Sequence, residues 1–148
     1  MKLFNTQMLE WIDEKIDWKE AIHKGVELLV NNNKATFELE EKILEVTKEF
    51  GAYYVLEKGI ALVHAPAGGH CLEAATSTLI LKDEIVFNNQ PEKMAKIIIT
   101  LSAPDNISHF DFIKEFGDYF MNQDFKQKVL NIKSLREFIE LISNYEVK

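Results

Sequence analysis

The chain has 148 residues, of which 47% are apolar and 28% are charged, so it can fill a globular core and does not have the composition of a disordered chain. Its formal net charge of -7 argues against nucleic acid or an anionic membrane as the main partner. No apolar run approaches the roughly 20 residues that cross a bilayer, so we expect no direct membrane insertion. The single cysteine, Cys71, and an acidic beginning unlike a targeting leader favour a cytoplasmic protein. We expect one domain over residues 1–148.

The first fifty residues have the pattern of helices. Asp17 and Glu20 have the spacing of a capping box, and apolar residues then follow at helical intervals. A second helix is predicted from about Thr36 to Phe50. Gly51 follows it directly, where a helix C-cap favours a residue that tolerates positive φ.

Short apolar runs in the middle of the chain predict five strands. They cover residues 53–56, 60–65, 74–81, 85–87 and 97–101. Some runs are apolar at both odd and even positions, so we expect helices on both faces of the sheet. The run that ends at Val63 has this property and is predicted to be a central strand.

The last third of the chain has the pattern of helices again. Ser108, Asn122 and Ser134 are candidate N-caps, and Ser134 with Glu137 forms a second capping box. The apolar stripe predicted for the first of these helices is Phe110, Ile113, Phe116 and Phe120. Helices, then strands, then helices predict an α/β domain with α/β/α layers around one sheet.

Two histidines are candidates for a functional site. His64 follows the run that ends at Val63, and ends of buried strands hold side chains beside loops that admit ligands. His109 would lie in the first turn of the helix capped by Ser108, where free amides favour an anion. The alternatives are a core histidine bonded to a carbonyl for His64 and a surface histidine for His109. If both lie in one pocket, they suit phosphoryl transfer through a neutral imidazole, without a cofactor.

The remaining candidates carry weaker signals. We expect His70 to lie exposed on a mobile loop, His23 to lie on a solvated helix face and Cys71 to be structural. A metal-dependent enzyme built on His64 and His109 is a further alternative, although no motif with metal-ligand spacing supports it. Its third ligand would come from Glu73, Asp105 or Asp111.

Several segments resemble a known family. Residues 59–65 read Gly-Ile-Ala-Leu-Val-His-Ala and resemble the Gly-Ile-Ala-Leu-Pro-His-Ala segment of enzyme IIA components of the bacterial phosphoenolpyruvate-dependent sugar phosphotransferase system, mannitol/fructose class. Residues 17–22, residues 50–55 and the stretch from Leu101 to Phe110 resemble its ascorbate-type branch. The resemblance extends from about Trp18 to Ile142.

The resemblance implies a fold and a reaction. The fold would be a three-layer α/β/α sandwich with a central mixed sheet of about five strands. His64 would be the phosphorylated histidine, and His109 would support the phosphoryl group. The donor would be HPr, the acceptor a cysteine of a IIB protein, and a membrane IIC component would act downstream in sugar uptake. The alternative is a regulatory module of the same family, in which phosphorylation of His64 signals to partner proteins.

Two positions depart from the pattern of the family. Val63 replaces the usual Pro, which removes a backbone constraint at the strand end. The sequence after Ala65 lacks an Arg that could bind phosphate with two hydrogen bonds. Lys58 or a cation of a partner protein is the candidate replacement for that charge.

Overall fold

The computed structural model describes residues 3–145 and has an α/β fold built on one mixed sheet. A short 3-10 helix, Thr6–Met8, precedes the first strand. The elements that follow are β1 (Leu9–Ile12), α1 (Trp18–Asn31), α2 (Glu38–Phe50), β2 (Gly59–Val63), β3 (Ala75–Val86), β4 (Met94–Ser102), α3 (Asn106–Phe120), α4 (Gln123–Leu130) and α5 (Leu135–Asn144). The strand order is β1-β3-β4-β2, with β3 antiparallel to β4 and the two outer pairs parallel. Over residues 3–145, no helix has the length and apolar content needed to cross a membrane.

Most helix ends lie where the capping residues predict them. The Asp17 side chain accepts a hydrogen bond from the Glu20 amide at 2.8 Å at the start of α1. Asn122 and Ser134 cap α4 and α5 in the same way. At the end of α2, Gly51 has a φ of 76°, a conformation that a residue with a Cβ rarely adopts.

Within residues 3–145 the sheet has four strands, so the prediction of five is wrong. Residues 53–56, predicted as a strand, form a turn and the extended segment after it. The two predicted strands at residues 74–81 and 85–87 merge into one strand, β3, which begins one residue later, ends one residue earlier and continues through the exposed residues 82–84. The register against β4 shifts between Ile80 and Ile85, so a bulge accommodates these polar residues without ending the strand.

The first strand, β1, lies in a region predicted to be helical throughout. Its four residues pair in parallel with β3 from Leu9 to Ile12. A strand of four residues has too few positions to establish an alternating pattern, and three of these are only partly buried. Its pairing with β3 therefore defines it, and the local sequence does not.

β2 is buried on both faces but lies at the edge of the sheet, which corrects the prediction of a central strand. Ala61 and Val63 pack into a hydrophobic cluster with residues of α1 and α2. Ile60 and Leu62 pack into a second cluster with residues of α3, α4 and α5. The two-sided apolar pattern therefore reports burial by helices, and it does not report the strand's place in the sheet.

The start and the buried face of α3 also differ from the prediction. The side chain of Asp105 caps this helix by accepting from the Ser108 amide at 2.8 Å, so Ser108 is not the cap. Phe110 is 67% exposed and Ile113 is 39% exposed, so neither belongs to the core stripe. The buried residues of α3 are Ser108, Phe112, Phe116, Tyr119 and Phe120.

Two helical glycines give opposite predictions for substitution by alanine. A Cβ on Gly25 of α1 would lie 3.1 Å from the Cβ of Thr100 and overlap its hydroxyl, whereas a Cβ on Gly117 of α3 would meet no atom within 4 Å. Alanine gains about 1 kcal/mol of helix propensity at either position, but overpacking a core costs about 1–3 kcal/mol. We expect Gly117→Ala to raise the free energy of unfolding and Gly25→Ala to lower it. Urea denaturation of both variants checks this, and equal stabilisation by both would contradict the close packing of α1 on the sheet.

Candidate functional site

The sheet topology brings His64 and His109 together. β2 and β4 are parallel, so their carboxyl ends lie at the same end of the sheet. His64 directly follows β2, and the chain leaves β4 at Ser102 and enters α3, where His109 is the fourth residue. The centroids of the two imidazole rings are 5.2 Å apart and the ring planes are inclined at 77°.

A hydrogen bond to the backbone orients the His64 ring. Nδ1 of His64 lies 2.6 Å from the carbonyl oxygen of Leu62. A carbonyl oxygen can only accept, so Nδ1 carries the proton and donates. In the neutral ring the other nitrogen, Nε2, then holds an unshared electron pair.

Tyr53 makes two further contacts with His64. Its ring centroid is 5.2 Å from that of His64 at an angle of 89°, and its hydroxyl donates to the His64 carbonyl at 3.1 Å. The His64 imidazole thus contacts the rings of both Tyr53 and His109. The sequence pattern predicts a strand at Tyr53 and does not predict its contact with His64. The available signal was the aromatic pair Tyr53-Tyr54 within a segment that resembles the family.

Burial keeps the side chains of His64 and Tyr53 uncharged at neutral pH. Burial is the main cause that lowers the pKa of His64, the nearby His109 lowers it further, and the hydrogen bond to the Leu62 carbonyl raises it. Burial also raises the pKa of Tyr53, which keeps its hydroxyl protonated and able to donate. The His64 imidazole is therefore neutral at neutral pH, which is the form that can act as a nucleophile.

The start of α3 holds a carboxylate of the protein itself. A hydrogen bond from the Ser108 amide is the main cause that lowers the pKa of Asp105, so this carboxyl is ionised at neutral pH. The Ser108 amide is consequently not free for a ligand anion, which limits the role that sequence reasoning gave to this helix start. The imidazole of His109 is the candidate ligand-binding group at this end of α3.

Other candidates lie elsewhere or are buried. His70 was predicted to be exposed, but it is buried, because residues 70–73 pair with the chain between α1 and α2. Cys71 is buried, and His23 is exposed on α1 with its Nδ1 2.6 Å from a carboxylate oxygen of Glu40. Lys58 precedes β2, so it is roughly 20 Å along the strand from His64 and cannot replace the missing Arg.

The alternative of a metal site finds no cluster of ligands. Within the part of the chain that the structure describes, no three His, Cys, Asp or Glu side chains are grouped so that they could hold a metal ion. The third ligands suggested by the sequence, Glu73, Asp105 and Asp111, therefore do not complete a site with the two histidines. The geometry instead favours chemistry at His64 with His109 beside it.

Comparison with known proteins identifies the family. Residues 3–145 match the family described as phosphoenolpyruvate-dependent sugar phosphotransferase system, EIIA 2. The chain belongs to this family. EIIA components of this system are phosphotransfer proteins.

Among the relatives of this EIIA protein, the mannitol-specific cryptic phosphotransferase enzyme IIA component of Escherichia coli is 28% identical over 86% of each chain. The solution structure of that component has a TM-score of 0.83 to this chain and covers 97% of it and 96% of its own length. The ascorbate-specific EIIA component of E. coli is 26% identical over 84% of this chain and 82% of its own. The mannitol enzyme IIA of E. coli, solved in complex with phosphorylated enzyme IIB, has the same fold, with a TM-score of 0.79 at 18% identity over 95% and 97% of the two chains.

The lowered pKa of His64 predicts how stability depends on pH. The unfolded chain binds a proton at this residue near pH 6.5, whereas the folded protein binds it only at a lower pH. The contribution of His64 to stability is therefore complete above pH 6.5 and is lost as the pH falls toward the folded pKa. We expect the loss on acidification to be smaller in His64→Gln, which cannot titrate. Denaturation at a series of pH values and an NMR titration of the His64 ring check this, and a titration midpoint at or above 6.5 would refute it.

Proposed function

We propose that this EIIA protein accepts a phosphoryl group from phospho-HPr on Nε2 of His64 and passes it to a cysteine of a IIB partner for sugar uptake. The observation that supports this most directly is the hydrogen bond between Nδ1 of His64 and the Leu62 carbonyl. It fixes the proton on Nδ1 and leaves Nε2 as the nucleophile. The proposal therefore specifies the nitrogen as well as the residue.

In both transfers the bonds formed and broken balance, and Nδ1 of His64 keeps its proton throughout. In the first, the electron pair of Nε2 attacks phosphorus, the P–Nε2 bond forms, and the P–N bond to the donor histidine breaks with its electron pair returning to the donor nitrogen. In the second, a thiolate of IIB attacks the same phosphorus, the P–S bond forms, and the P–Nε2 bond breaks with its pair returning to Nε2. In-line transfer of this kind depends mainly on positioning and charge stabilisation.

His109 is the proposed partner of the phosphoryl group. Its ring lies 5.2 Å from that of His64, centroid to centroid, and within one helical turn of the start of α3. We propose that a ring N–H of His109 donates a hydrogen bond to a phosphoryl oxygen. Since the sequence lacks the Arg after Ala65, further positive charge would come from the partner protein.

The relatives support the wider setting of the proposal. The family match over residues 3–145 supports a single EIIA domain over residues 1–148. The mannitol enzyme IIA that is solved with phosphorylated IIB supports IIB as the acceptor. We propose the cytoplasm as the place of transfer and a membrane IIC component as the later step. Mannitol-specific and ascorbate-specific relatives match at 28% and 26% identity, so the proposal extends to sugar uptake and names no single sugar.

Replacing the two histidines tests the assignment. Incubation with phosphoenolpyruvate, enzyme I and HPr should give acid-labile label on the wild-type protein and none on His64→Ala, because the nucleophile is gone. His109→Ala should be labelled more slowly, by roughly tenfold, since one hydrogen bond to a charged oxygen is lost. The matched control is His23→Ala, which removes an exposed histidine of α1 and should leave labelling unchanged.

The same experiment separates transport from regulation. Labelled wild-type protein mixed with a purified IIB protein should lose its label to the IIB cysteine. Retention of the label in the presence of an active IIB would favour the regulatory alternative. Full labelling of His64→Ala would overturn the assignment of the phosphorylated residue.

A further inference from the structure

The segment before β2 covers the open edge of that strand at the histidine. Leu62 donates its amide to the Tyr54 carbonyl at 2.9 Å, and its own carbonyl accepts from Nδ1 of His64 at 2.6 Å. The next outward-facing carbonyl along the strand direction, that of His64, accepts from the Tyr53 hydroxyl at 3.1 Å. The contact from Tyr54 is made by its backbone carbonyl, which any residue at this position supplies, whereas the contact from Tyr53 is made by its side-chain hydroxyl.

We infer that Tyr53 is a positioning residue for phosphoryl transfer, acting through His64; this inference rests on the proposed function. The pairing of β2 with β4 ends at Val63, one residue before His64. The Tyr53 hydroxyl holds the His64 backbone just beyond this point through its hydrogen bond to the His64 carbonyl. The Tyr53 ring packs edge-on against the imidazole at 5.2 Å and 89°, and the ring of His109 makes a second contact at 5.2 Å and 77°. The imidazole then has one orientation, with Nδ1 on the Leu62 carbonyl and Nε2 directed away from it.

The hydroxyl and the ring of Tyr53 make separable contributions. Tyr53→Phe keeps the ring and removes only the hydrogen bond to the His64 carbonyl. Tyr53→Leu also removes the aromatic ring that packs against the His64 imidazole. We expect the rate of transfer at saturating phospho-HPr to fall by about three- to tenfold in Tyr53→Phe, the equivalent of one net hydrogen bond. We expect a fall of about tenfold to a hundredfold in Tyr53→Leu, since small misplacements of a reacting atom have effects of that size.

Tyr54 provides a matched control. The Tyr54 side chain is completely buried, and its hydroxyl lies 2.8 Å from Oγ1 of Thr47 in α2. This hydroxyl therefore bonds to α2, whereas the hydroxyl of Tyr53 bonds to His64. Since Thr47 Oγ1 donates to the Ile43 carbonyl, the Tyr54 hydroxyl is the donor in this pair. Tyr54→Phe therefore removes the same chemical group from the adjacent residue. It should lower the thermal midpoint at least as much as Tyr53→Phe and leave the rate of transfer unchanged.

The decisive readout does not require transfer. Nitrogen NMR of the unphosphorylated protein, labelled in its histidines, measures the fraction of His64 whose proton is on Nδ1. We expect this fraction to be high and equal in the wild type and Tyr54→Phe, lower in Tyr53→Phe and lowest in Tyr53→Leu. In the transfer assay, the Tyr53→Phe defect should appear in kcat, with KM for phospho-HPr unchanged.

The outcomes separate the two proposals. An unchanged Nδ1–H fraction in both Tyr53 variants would overturn the positioning role, as would a wild-type transfer rate in both. A defect of the same size in Tyr53→Phe and Tyr54→Phe would also overturn it, because general destabilisation would then account for the loss. If the wild-type protein accepts no phosphoryl group, the proposed function fails, and the NMR comparison still tests whether Tyr53 holds the imidazole.

Discussion

The open edge of β2 is the constraint on which the site depends. An edge strand presents backbone amides and carbonyls that need partners, and here both faces of the strand are buried, so water has little access. Leu62 satisfies its amide with the Tyr54 carbonyl and its carbonyl with the His64 ring. The His64 imidazole, the proposed nucleophile, is therefore also a hydrogen-bonding partner of the backbone at this edge. Its orientation follows from the same rule that satisfies buried backbone groups elsewhere in proteins.

The same burial explains the protonation state of His64. Three influences act on the His64 imidazole: burial and His109 lower its pKa, and the Leu62 carbonyl raises it. Burial is the largest of them, so the ring stays neutral and keeps the electron pair on Nε2 available. A side chain free to turn toward solvent would be protonated in a larger fraction of molecules near neutral pH and would lose its fixed tautomer. Orientation and protonation are thus two consequences of one placement at the end of a buried strand.

Local signals in the sequence predict much of this structure. The caps at Asp17, Asn122 and Ser134 and the C-terminal Gly51 are confirmed, since each depends on contacts within a few residues. The family resemblance is confirmed by the match over residues 3–145. The closeness of His64 to His109 could be expected from strand ends, and the structure brings their rings together.

The features that sequence reasoning missed depend on tertiary contacts. A strand covered by helices on both faces has the same two-sided apolar pattern at the edge of a sheet as at its centre. The sequence of β2 therefore predicted a central strand, although β2 lies at the edge. Two glycines before His70 indicated an exposed loop, but pairing with the chain before α2 buries this histidine. The segment that contains Tyr53 has the apolar composition of a strand. The contact of Tyr53 with the His64 carbonyl forms because this segment folds across the edge of β2. No local pattern encodes such a crossing.

In the proposed reaction, the Leu62 carbonyl keeps the proton of His64 on Nδ1 and thereby leaves Nε2 to carry the phosphoryl group. The most direct test is nitrogen and phosphorus NMR of the protein after phosphorylation by phospho-HPr, with histidine nitrogens labelled. We expect a single phosphohistidine, His64, with phosphorus coupled to Nε2 and the proton retained on Nδ1. Phosphorus bonded to Nδ1 of His64, or to the ring of another histidine, would contradict it.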